Sequence, residues 1–146
     1  MATAKLGLDA KLYRNTGSYG SPSWAEIENV RDLTLSMPKG EADVSTRGNG
    51  GWGADAGTLK RASIEFSMVN RESDTDLDAI RDSFLNNTDV EYAVMDGNIT
   101  TSGSEGLRAT MQVFNFSRNE ALEEAITYDV SIKPTIADNA PEWLTI

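Results

Sequence analysis

AITYDVSIKP, residues 125 to 134, alternates strictly: Ile126, Tyr128, Val130 and Ile132 fall on one face, and Thr127, Asp129, Ser131 and Lys133 on the other. That period is the signature of a strand with one face in a core and the other in water. The same pattern spreads outward from it. In TLKRASIEFSMV, residues 58 to 69, Ile64, Phe66 and Met68 oppose Ser63, Glu65 and Ser67, and DVEYAVM alternates through Val90, Tyr92 and Val94. GLRATMQVFNFSR, residues 106 to 118, carries apolar residues on both faces around Val113, Phe114 and Phe116, which predicts a long strand buried on two sides there. LDAKLY, WAEIENV and RDLTLSM add two or three strands near the N-terminus, the first two joined by the turn-rich NTGSYGSPS.

One segment leaves this period. In SDTDLDAIRDSFLNN, residues 73 to 87, Leu77, Ile80 and Phe84, joined by Leu85, recur at helical spacing. Ser73 reads as the N-cap, with Asp76 completing a capping-box-like pattern. The fold class is mainly β: an antiparallel sandwich or barrel with one packed α-helix, in a single domain over residues 1–146.

Composition narrows the chemistry. The chain has no cysteine and no histidine, which removes disulfides, thiolate metal sites, a Cys nucleophile and the usual general base. Thirteen basic residues stand against 23 acidic ones, a net charge of −10, and the basic residues cluster no further than Lys60 with Arg61. Tight binding to a phosphate backbone needs more than that. No apolar run reaches membrane-spanning length, and MATAKLGLDAKLY lacks the apolar core of a signal peptide, so synthesis in the cytoplasm without membrane insertion is expected.

The remaining motifs read more simply as structure than as sites. Asp74, Asp76, Asp78 and Asp82 resemble the start of a calcium loop but lack its glycine and its terminal glutamate, and carboxylates in a first helical turn suit the helix dipole. Glu120, Glu123 and Glu124 read as a solvated turn. The glycines of RGNGGWG match no phosphate-binding loop. Asn86, Asn98 and Asn115 fit the glycosylation pattern as often as chance allows. Trp24 and Trp143 read as covers of core edges, or as interface residues. No catalytic, cofactor-binding or metal-ligating constellation emerges, and an enzyme is the reading with least support.

MPKGEADVSTRGNGGWGADAG, residues 37 to 57, fits none of these elements. Unstructured loops beyond roughly 12 to 15 residues are uncommon in compact domains. Ordering such an arm costs about 1 to 2 kcal/mol per residue. Met37, Val44 and Trp52 offer too little apolar area to offset that at roughly 25 cal/mol per Å². The arm is expected to be extended and flexible in the monomer. Trp52 and Arg47 give it the composition of an interface element ordered by a partner. A surface flap whose Trp folds back on its own domain fits the composition equally well.

WAEIENVRDLTLSMPKGEADVSTRGNGGWGADAGTLKRASIEFSMV, together with FNFSRNEALEEAITYDVSIKPT, resembles the major tail tube protein of tailed bacteriophages, of the siphophage type. The likeness runs from GLDAKLYR to IKPT, in the order strand, long arm, strand, helix, strands. It implies a homohexameric ring whose subunits add strands to a continuous inner barrel, with rings stacked into the hollow tail tube of the virion. The genome leaves through that tube. The helix would lie outside, and the arm would reach a neighbouring subunit through Met37, Val44, Arg47 and Trp52. Implied partners are further copies of the chain, tail initiator or tip and terminator proteins at the tube ends, and a tape measure protein in the lumen. Genomic DNA would pass without specific binding, and no cofactor is implied.

A conduit for DNA must avoid attractive phosphate contacts, since duplex DNA carries one charge per roughly 1.7 Å of axis. Six copies at −10 each put on the order of −60 on a ring. Candidate lumen residues are the polar members of the alternating strands: Asp32, Thr34 and Ser36; Ser63 and Glu65; Thr127, Asp129 and Ser131. Alternation by itself does not separate a lumen face from an outer one. Arg31, Lys60 and Arg61 are expected to pair with acids across subunit boundaries, and the monomer to await an initiator before its edge strands pair. Two rival readings share the strand pattern: a type VI secretion-like tube subunit, and a carbohydrate-binding β-sandwich that would gather Trp24, Trp52 and Trp143 on one face.

Overall fold

The computed structural model describes residues 3–146. After a 3-10 turn at Gly7–Asp9 come β1 (Lys11–Asn15), β2 (Trp24–Glu26), β3 (Val30–Ser36), β4 (Lys39–Asp43) and a second 3-10 turn at Arg47–Asn49. β5 (Asp55–Lys60), β6 (Ser63–Val69), α1 (Thr75–Asn86), β7 (Val90–Met95), β8 (Glu105–Asn119), β9 (Thr127–Pro134) and β10 (Glu142–Thr145) follow. All strands but β4 and β5 form one antiparallel sheet in the order β2-β1-β7-β8-β9-β6-β3, with β10 paired to β8. The segment read as one strand over residues 58 to 69 breaks at Arg61 and Ala62, where β5 gives way to β6.

β8 organises the sheet because of its length. β7 takes one edge from Gly106 to Met111, while the other edge is shared by β10, along residues 105 to 108, and β9, from Met111 to Asn119. The two half-sheets so joined close over a single core. Leu12, Tyr92 and Val94 come from one half, Ile64, Phe66, Met68, Val130 and Ile132 from the other, Leu107, Ala109, Met111 and Val113 from β8, and Leu77 and Ile80 from α1. Ile64, Met68, Ile80, Tyr92, Met111 and Ile132 are completely shielded from solvent. The Tyr92 hydroxyl is buried there without a hydrogen-bond partner, and burial pushes its pKa up.

Burial on both faces of β8 occurs earlier along the strand than expected. Gly106, Leu107, Arg108 and Ala109 are buried in succession, because a second cluster of Tyr13, Ala93, Met95 and Ile99, flanked by Trp24 and Leu144, covers the outer side of this half-sheet. Gly106 is required at this crossing, since a Cβ there would overlap the Val94 carbonyl oxygen. Around Val113 the pattern that suggested two-sided burial has another cause. The register shifts between Val113 and Asn115, and the bulge at Phe114 leaves that ring 55% exposed.

α1 begins one residue later than its sequence suggests. Asp74, not Ser73, is the N-cap, its carboxylate accepting from the N–H groups of Asp76 (3.1 Å) and Leu77 (3.3 Å), while Ser73 turns the chain with φ 56°. A charged acceptor under the first N–H groups serves the helix dipole better than a hydroxyl. Asp74 also accepts from Asn29 Nδ2 at 2.8 Å, and Asp76 pairs with Arg14 at 3.0 Å, so two of the suspected calcium-loop acids tie the helix to the strands. Phe84 stacks on Phe116, and Phe116 on Tyr128, at 6.2 and 5.1 Å between ring centroids.

Residues 37 to 57 are not a structureless loop. β4 and β5 pair as an antiparallel ribbon running on to Lys60, in a two-stranded sheet separate from the main one. Backbone hydrogen bonds supply the order that apolar burial cannot: Val44 N–H donates to Ala54 O at 2.9 Å, and Arg61 N–H to Pro38 O at 2.9 Å. At the tip Gly50 takes the left-handed conformation, φ 64°, that closes the 3-10 turn.

Candidate assembly surfaces

Cross-strand register gathers the polar residues of the second half-sheet on one face. Thr34 pairs with Glu65, Glu65 with Ser131, and Ser131 with Asn115. In the next row Ser67 pairs with Asp129 and Asp129 with Ser117, while Asp32 N–H lies 3.5 Å from Ser67 Oγ. Thr127 sits opposite Asn119 at the end of the face, and Asn119 Nδ2 donates to Asp129 at 2.8 Å. Asp32, Thr34, Glu65, Thr127, Asp129 and Ser131 thus share one surface. Ser36 pairs with Ser63 at its other end.

β8 contributes to this face as well, which alternation along the chain does not reveal. Asn115, Ser117 and Asn119 do alternate in NFSRN, but the bulge at Phe114 resets the period just before them. Three carboxylates, Asp32, Glu65 and Asp129, are spread across the surface, with Lys133 at its margin, 5.9 Å from the Phe114 ring centroid. Opposite-facing Phe116 and Tyr128 carry the contact to α1. The polar face and the helix therefore lie on opposite sides of the same strands.

The β4–β5 ribbon presents the second surface. Trp52 is 79% exposed at the turn, and Val44 and Met37 are also exposed. Arg47 stands in the 3-10 turn, outside any ion pair among the described residues. Trp52 does not fold back into the core, and its backbone N–H donates locally, to Asn49 O at 3.1 Å. Asp43 faces Asp55 and Lys39 faces Lys60, so like charges oppose each other near both ends of the ribbon. Hydrogen bonds from Ser45 hold the Asp43 carboxyl below the usual carboxylate range. Directly opposed like charges destabilise a strand pair, and an isolated two-stranded hairpin is marginal in water.

A buried ion pair fixes the outer side of the first half-sheet. Arg108 donates to Glu91 at 2.8 Å and to the Tyr19 carbonyl at 2.6 Å, with its guanidinium 3.8 Å over the Tyr19 ring. Trp24 lies 5.3 Å from the same guanidinium. Leu144 packs in the cluster with Trp24, so Trp143, its neighbour on β10, points to the opposite face, beside Leu107. Trp24 and Trp143 do not form the shared aromatic surface that sugar binding would need. Among the described residues no group of three or more acidic side chains is placed to hold a metal ion, and no helix is long and apolar enough to cross a membrane.

Neither a protein-family model nor a curated protein matches the chain. Solved structures do. A chain from the tail of an empty gene transfer agent particle, computed with C6 symmetry, matches with a TM-score of 0.72 and 22% identity, covering 98% of this chain and 99% of that one. The SPP1 tail tube matches with a TM-score of 0.67 and 14% identity, over 89% of this chain and 75% of that one. A chain of an extracellular contractile injection system, from a sheath-tube complex, gives 0.63 and 6% identity over 98% and 93%. The chain has the tail-tube fold, mainly antiparallel β with one packed helix.

Proposed function

We propose that the chain is the tube subunit of a phage-type tail. Copies close into sixfold rings, the rings stack, and the face built from β3, β6, β9 and the second half of β8 lines the lumen through which DNA passes. The observation that carries this reading is the gathering of Asp32, Thr34, Glu65, Thr127, Asp129 and Ser131 on one face, backed by α1 on the other side of the same strands, in a chain of net charge −10. A carboxylate and hydroxyl surface repels phosphates, and Lys133 stands at its margin rather than within it. The β4–β5 ribbon, with Met37, Val44, Arg47 and Trp52, reaches a neighbouring copy and gains there the burial it lacks. Initiator and terminator proteins at the ends, a tape measure protein in the lumen and residence in the virion after synthesis in a bacterial host follow from this role. Greater identity to the gene transfer agent tail than to the injection-system tube, 22% against 6%, favours a phage-type tail over a secretion tube.

The chain has no cysteine of its own, so a single introduced thiol reports its surroundings cleanly. Electron microscopy of the protein, concentrated until nucleation no longer needs an initiator, is expected to show hollow tubes of sixfold rings. In those tubes Ser131→Cys should resist a maleimide too bulky to enter the lumen, while Asp82→Cys on α1 reacts, and both should react in the monomer. Equal labelling of Ser131→Cys in tube and monomer would refute the lumen assignment.

A further inference from the structure

Lys60, Arg61 and Lys133 converge on one groove at the base of the ribbon, in a chain that is otherwise strongly acidic. The groove has a volume of about 420 Å³ and an apolar lining that includes Pro38, Leu107 and Trp143, with the Glu142 carboxylate, 3.6 Å from Arg108, also at its wall. None of its three cations belongs to an ion pair among the described residues, and Lys60 also faces Lys39 across the ribbon. Three cations against the carboxylate of Glu142, around an apolar recess, call for an acidic occupant with an apolar tip.

The chain carries such a segment at its other end. The connection between β8 and β9 holds Glu123 and Glu124 beside Leu122, which is 100% exposed at a turn closed by Glu124 N–H to Ala121 O, while Glu120 at its start pairs with Arg118 of the same chain. β9 runs from this loop, at Thr127, to the groove, at Lys133 and Pro134. Its length, at about 3.4 Å per residue, sets loop and groove roughly 25 Å apart, too far for the loop to fill the groove of its own chain. We infer that the β8–β9 loop of a second copy docks in this groove, Leu122 against Trp143 and Glu123 and Glu124 against Lys60, Arg61 and Lys133.

Knob and socket at opposite ends of one strand make a head-to-tail contact, which propagates without closing on itself when successive copies are translated along the strand direction. The inference thus deepens the tube-subunit reading, on which it rests, by assigning the contact between stacked rings. Electrostatic matching of this kind also fixes polarity, since two grooves or two loops facing each other repel.

The test mixes two single-cysteine proteins, Ala121→Cys beside the knob and Pro141→Cys at the groove, both at exposed positions that leave every charge in place. Under mild oxidation the mixed disulfide is expected to exceed either self-pair by about tenfold, the enrichment that a docked geometry gives over random encounter. Glu123→Lys with Glu124→Lys on the first protein should abolish it, and Lys60→Glu with Arg61→Glu on the second should bring it back. Hollow tubes without the mixed disulfide, or a disulfide indifferent to charge reversal, would overturn this contact and leave the tube reading standing. A charge-dependent mixed disulfide without tubes would keep the contact and remove the tube reading, and the absence of both would end both.

Discussion

β8–β9 and β4–β5 are both antiparallel pairs joined by a reversal of the chain, yet they rest on different physics. The first pair buries Met111, Val113, Val130 and Ile132 in the core and continues into further strands on both sides. The second buries no side chain, shares no hydrogen-bonded edge with the main sheet, and opposes like charges near each end. A backbone ladder alone leaves a hairpin marginal, whereas the same ladder over an apolar layer is the framework of the domain. On the proposed function, the sheet body carries the stability of the domain and the ribbon contributes to association.

That division is tested first where the effect is largest. Ile132→Ala opens a cavity in a fully shielded position and is expected to lower unfolding free energy by about 4 kcal/mol in urea titration. Glu91→Ala leaves the buried Arg108 guanidinium with the Tyr19 carbonyl and a 3.6 Å approach to Glu142 in place of its buried partner, and should cost about 3 kcal/mol by the same measurement. Asp74→Ala removes the cap of α1, with an expected loss of about 1 to 2 kcal/mol and earlier amide exchange in the first turn of the helix. At the small end, Trp52→Ala should leave the monomer within about 0.5 kcal/mol of the parent. It should nonetheless reduce polymer formation in sedimentation. A Trp52→Ala protein that unfolds easily, or one that polymerises normally, would erase the contrast between body and ribbon.

Much of the body was legible in the sequence because its strands follow one clear period. AITYDVSIKP and SIEFSMV place Ile132, Val130, Ile64 and Phe66 inward and Asp129, Ser131 and Glu65 outward, and the register then sets the outward residues side by side. The features that were not legible depend on contacts distant in sequence. The Phe114 bulge imitates two-sided burial, Gly106 is needed only because Val94 approaches it, and β10 is too short to announce itself beside β8. Ser73 looked like a cap because local pattern does not reveal that the chain turns there. In sequence the ribbon resembles a loop because its glycines and charges hide a pairing that rests on backbone hydrogen bonds rather than on alternation. The groove at its base lies beyond local reading as well, since Lys60, Lys133 and Trp143 meet only in the folded chain.

Hydrogen exchange on the free and the assembled protein tests the division most directly. In the monomer, amides of residues 39 to 60 should exchange close to the unprotected rate while those of β6, β7, β8 and β9 persist, because only the latter need global opening. On assembly the ribbon amides should become protected and those of the body should change little. A ribbon already protected in the monomer, or still unprotected in the assembled state, would contradict the account.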